Sequence, residues 1–173
     1  GVQTCALPIL QIIPPNWETT ENEQIIKTSL LRLLRSLVVS LNENSMETHQ
    51  IAIPLIKACC SENLDVYLLV SEDGYDLWLA LLQFCPVTQN LNSELVELFQ
   101  LIPVGLRNST EILPTILSII RSYALYAPDV FSEDLASEIF QVIGNYLSKM
   151  RDDAYAIFIA LMDILLINPR DEM

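Results

Sequence analysis

Three acidic pairs, Glu72-Asp73, Glu133-Asp134 and Asp152-Asp153, are the first residues whose type and spacing could do chemistry. Paired carboxylates serve as general acid and base when a cleft holds one of them protonated. Each pair here falls at an expected helix start, where negative side chains offset the positive end of the helix dipole. Capping is therefore their simplest role. No GxSxG surrounds any serine, and Gly74, Gly105 and Gly144 are isolated, so neither a nucleophile elbow nor a phosphate-cradling loop is spelled out. Cys5, Cys59, Cys60 and Cys85 include no CxxC, and His49 is the lone histidine, too few groups for a zinc site. Adjacent Cys59 and Cys60 read as helix packing in a reducing compartment, and His49 as a solvated residue on a polar helix face. Asn108-Ser109-Thr110 matches a glycosylation sequon but reads more simply as a helix cap. The sequence nominates no catalytic, cofactor-binding or metal-ligating residue, and the chain is expected not to be an enzyme.

The elements behind these residues are helical. Of 173 residues, 51% are hydrophobic and only four are glycine, so turn signals are few and apolar periodicity is long. No stretch reaches the roughly 20 apolar residues a membrane span needs. A formal charge of −13 disfavours nucleic acid, whose phosphates need a basic face, and is compatible with a basic protein partner.

Gly1–Ile9, GVQTCALPI, matches the translation of a common sequencing-library adapter and is expected to be an assembly artefact, excluded from fold reasoning. Residues 10–22 are expected to hold the end of a preceding repeat helix, stopped near Pro14-Pro15, and a linker. The repeat array then spans 23–169, with 170–173 a truncated tail.

Within the array, helices are expected over about 23–41, 46–60, 74–84, 94–106, 109–126, 132–150 and 152–167. In the first, Ile26, Leu30, Leu33, Leu34, Leu37, Val38 and Leu41 should face inward, and Lys27, Arg32 and Arg35 outward. Asn42–Ser45 should be a short turn, and Pro54 should kink the second helix. Leu95, Leu98, Phe99 and Ile102 should form the fourth stripe. Ile112, Ile116, Ile119, Ile120 and Tyr123 should form the fifth, and Leu135, Ile139, Val142, Ile143 and Tyr146 the sixth. First helices starting near 23, 74, 109 and 152 have a mean spacing of about 43 residues, inside the roughly 40–47-residue period of HEAT and armadillo repeats. The expected fold is all-α, a HEAT-type helical-repeat solenoid of about seven helices in antiparallel pairs. Both ends of such an array should expose apolar surface.

One stretch organises the rest. Asp65–Leu82, DVYLLVSEDGYDLWLALL, reads as an extended apolar approach, a tight acidic turn at Ser71–Gly74 capped by Asp73, and a helix opening at Tyr75. Its Tyr67-Leu68-Leu69, Glu72-Asp73-Gly74 and Leu77-Trp78-Leu79 resemble the importin-eleven branch of the importin-beta superfamily of nuclear transport receptors. Val70 and Ser71 stand where that branch has a shorter connection. The resemblance runs from about Asn22 to Pro169 and corresponds to a piece of the C-terminal half of a much longer receptor. It implies a protein that binds cargo on a concave face, contacts phenylalanine-glycine nucleoporins in slots between helices, and responds to Ran-GTP through N-terminal repeats that lie outside this chain. It also implies shuttling between cytoplasm and nucleus through the pore. The residues alone leave a second reading open, an unrelated HEAT- or armadillo-type interaction scaffold. Neither reading says which side chains bind protein.

Overall fold

In the computed structural model the described residues are 21–62, 64–85, 91–108, 111–147 and 151–167. The expectations for 1–20, for Ser109, Thr110 and 148–150, and for the tail lie outside them. The chain forms two compact units, Gly1–Pro86 and Val87–Met173.

In the first unit, α1 (Glu21–Leu41) leads through a 3-10 segment, Asn42–Thr48, into α2 (His49–Cys59), and α3 (Leu64–Gln83) follows. Asn42 starts the 3-10 segment with φ 51°, a left-handed conformation that asparagine tolerates better than most residues. Ser45 Oγ donates to the Phe84 carbonyl and Thr48 Oγ1 to the Ser45 carbonyl, so both buried hydroxyls are satisfied while tying this corner to the end of α3. Pro54 lies within α2 on its exposed side. Both α1 and α2 pack on α3, which makes the 65–82 stretch the centre of the unit.

That stretch is not a turn. Helix α3 runs unbroken from Leu64, so the extended approach, the acidic turn and the Asp73 cap are all replaced by helical backbone. Ser71, Glu72 and Asp73 carry a helix without difficulty when tertiary packing favours it. Gly74 is there for contact: a Cβ on it would stand 2.8 Å from Cys59 Cβ and 3.2 Å from Cys60 Sγ. It marks a close approach of α2 and α3, not where a helix begins. Tyr75, Leu77, Trp78, Leu81 and Leu82 are fully buried around it, with the Tyr75 and Trp78 rings stacked at 5.8 Å.

Helix α1 also differs from expectation. Its buried line is Lys27, Leu31, Leu34 and Val38. Ile26, Leu33 and Leu37 are 57%, 54% and 40% exposed, and Leu41 is exposed as well. Apolar residues cover more than a third of this helix's circumference, and α3 together with the 3-10 segment covers only part of that arc.

In the second unit, α4 (Ser93–Glu97), a 3-10 turn (Leu98–Leu101) and α5 (Ile102–Asn108) replace the single helix expected over 94–106. Pro103 has no N–H, so in pure α geometry the Phe99 carbonyl would lose its donor; the Ile102 N–H takes it over instead. Asn92 caps α4, its side chain accepting from the Glu94 N–H at 2.9 Å. Leu95, Leu98, Phe99 and Ile102 are buried as their spacing requires.

Three further helices complete this unit. They are α6 (Leu113–Tyr126), with Pro114 in its first turn, α7 (Glu133–Tyr146) and α8 (Asp152–Ile167). Ile112, Ile116, Ile119, Ile120 and Tyr123 are buried, whereas in α7 only Ile139 and Ile143 of the expected stripe are. Phe99 is the hub of this core, its ring 4.9 Å from Tyr123 and 4.8 Å from Phe131. The Tyr123 hydroxyl donates to the Leu95 carbonyl, where α4 tightens into its 3-10 turn.

Both units obey one neighbour rule. Helices that open a pair stack on each other, α1 on α3 and α6 on α8, and closing helices do likewise, α5 on α7. Those opening helices begin at 21, 64, 113 and 152, which keeps the repeat spacing even where individual boundaries moved. The fold is an all-α helical-repeat array.

Candidate functional site

The three acidic pairs end in two kinds of place. Glu133-Asp134 and Asp152-Asp153 occupy the first turns of α7 and α8, next to the dipole ends they were expected to offset. Ser132 completes the α7 cap by accepting from the Leu135 N–H. Glu72-Asp73 instead sits mid-helix. Arg32 Nε on α1 donates to the Asp73 carboxylate at 2.8 Å, and three residues further along both helices Arg35 stands 3.9 Å from Asp76. Both pairs advance in the same sense, so α1 and α3 run parallel. Exposed pairs of this kind are largely screened by solvent and contribute little. A buried leucine contributes about 2 kcal/mol, so apolar packing rather than charge holds α3 in place.

Behind Gly74 lie the cysteines. Burial pushes the Cys59 thiol up to about 12, with the Lys27 ammonium acting in the opposite sense. Burial also lifts Cys60 well above the ordinary thiol range, with the nearby Tyr75 hydroxyl working against that rise. Both are free thiols and stay protonated, which suits packing and not nucleophilic attack. Among the described residues no three His, Cys, Asp or Glu side chains gather as a metal ion would require, and no helix is long and apolar enough to cross a membrane.

Two polar residues lie where the sequence did not put them. Lys27 is 5% exposed and His49 3%. Lys27 could have been read from its spacing, because it shares the i, i+4, i+7, i+11 line of Leu31, Leu34 and Val38. His49 opens α2 directly after buried Thr48, and neither ring nitrogen has a hydrogen-bond partner among the described residues. Desolvation holds its imidazolium form below the usual histidine range.

What these residues build is a joint between stacked helices, whose product is surface and shape. Against known proteins, a family model described as "Importin-11-like, TPR repeats" matches residues 28–171. The chain belongs to the importin-11-like family. It is 43% identical over 166 residues to the importin beta-like protein KAP120 of Saccharomyces cerevisiae, a match covering 92% of this chain and 16% of that protein. Importin-11 of Homo sapiens is 24% identical over 162 residues, covering 93% of this chain and 16% of the relative. A solved structure of Lph2, described as a novel bidirectional nuclear transport receptor in S. cerevisiae, superposes with a TM-score of 0.80 at 40% identity, covering 95% of this chain and 17% of that one. The chain thus spans about a sixth of the length of these relatives. The likeness extends along nearly all of it, and the reading as an unrelated scaffold falls away.

Proposed function

We propose that this chain serves as one run of stacked helical repeats within a nuclear transport receptor, contributing binding surface and curvature and no chemical step. The observation that carries this is the 43% identity to KAP120 sustained over 92% of the chain, together with membership of the importin-11-like family. The joint at α3 is consistent with it: parallel helices stacked through apolar faces and weak exposed ion pairs can rotate slightly against one another, so binding on one arc alters shape elsewhere.

On this reading the receptor carries protein cargo between cytoplasm and nucleus and passes the pore through phenylalanine-glycine nucleoporins. Ran-GTP acts on it through repeats outside this chain. The formal charge of −13 suits basic cargo, whose binding should weaken with added salt.

The test is a chimera in which this chain replaces the aligned segment of KAP120, followed in living yeast. Shuttling through the nuclear envelope at the parental rate is expected. A stably folded chimera that no longer enters the nucleus would overturn the assignment. The chain by itself should not retain Ran-GTP on beads, and a tight, nucleotide-dependent complex would show that Ran contacts extend into these repeats.

A further inference from the structure

We draw no further inference here: the strongest candidate, the exposed apolar stripe of Ile26, Leu33, Leu37 and Leu41 along α1, carries nothing because nothing in the structure shows what covers it.

Discussion

A Cβ added to Gly74 would stand 2.8 Å from the Cβ of Cys59, closer than real side chains sit. Alanine in a helix gains about 1 kcal/mol over glycine. Overpacking of a tight core costs about 1–3 kcal/mol, and the atom in the way is a cysteine stem fixed to its backbone, which yields little. Gly74→Ala should therefore destabilise the protein by up to about 2 kcal/mol in urea denaturation. Gly144, near the end of α7, has nothing within 4 Å of its would-be Cβ. There the same change should stabilise by about 0.5–1 kcal/mol. Opposite signs from one substitution at two helical glycines are the expected result, and a stabilising Gly74→Ala would refute the close contact.

Leucines on α1 separate the buried line from the exposed one. Leu31→Ala and Leu34→Ala remove fully or almost fully buried side chains and should each cost about 2–5 kcal/mol. Leu33→Gln and Leu37→Gln change exposed positions and should stay within about 0.5 kcal/mol of the parent. Chemical denaturation of the four variants distinguishes the two faces, and equal losses would mean that α1 is buried all round.

How legible all this was depends on how many faces of an element carry apolar residues. Helix α8 was readable to its first and last residue, because Asp152-Asp153 mark its start and an apolar run follows. The starts expected near 94 and 132, found at Ser93 and Glu133, were readable for the same local reason. The orientation of α1 was not. Ile26, Leu30, Leu31, Leu33, Leu34, Leu37, Val38 and Leu41 satisfy helical periodicity for more than one burial direction, and only the position of α3 chooses between them. Ser71–Gly74 has the composition of a turn, yet its glycine answers to the preceding helix, α2. The joint was legible as a place and illegible as a geometry.

The Tyr123 hydroxyl is a second point where one atom matters. It is the donor that the buried Leu95 carbonyl receives at the pitch change. Tyr123→Phe keeps the ring against Phe99 and deletes only that donor, so a loss of about 1–3 kcal/mol is expected. Thermal unfolding of this variant should show it, and an unchanged midpoint would mean that the carbonyl finds another partner.

His49 gives stability a pH dependence whose direction is fixed. The folded protein resists protonating it, whereas in the unfolded chain it titrates at its ordinary pKa of about 6.5. The unfolded state therefore binds the proton first as pH falls. Its contribution to stability is complete above about pH 6.5 and is lost progressively below that value. The melting temperature should fall between pH 7.5 and 5.5, and His49→Leu should flatten that interval. A variant as pH-sensitive as the parent would place the titration elsewhere.

The two ion pairs between α1 and α3 share a three-residue step, and that repetition makes them poor guardians of alignment. If α3 slid by one turn, Arg35 could meet Asp73, or Arg32 could meet Asp76, and one of the two pairs would survive. At Cys59 no such tolerance exists. The same slides would bring Ser71 or Leu77 to the spot that Gly74 occupies, where even one methyl group is too large. Register in this joint is thus set by an absence: a single hydrogen atom marks the one position at which the helices can mesh.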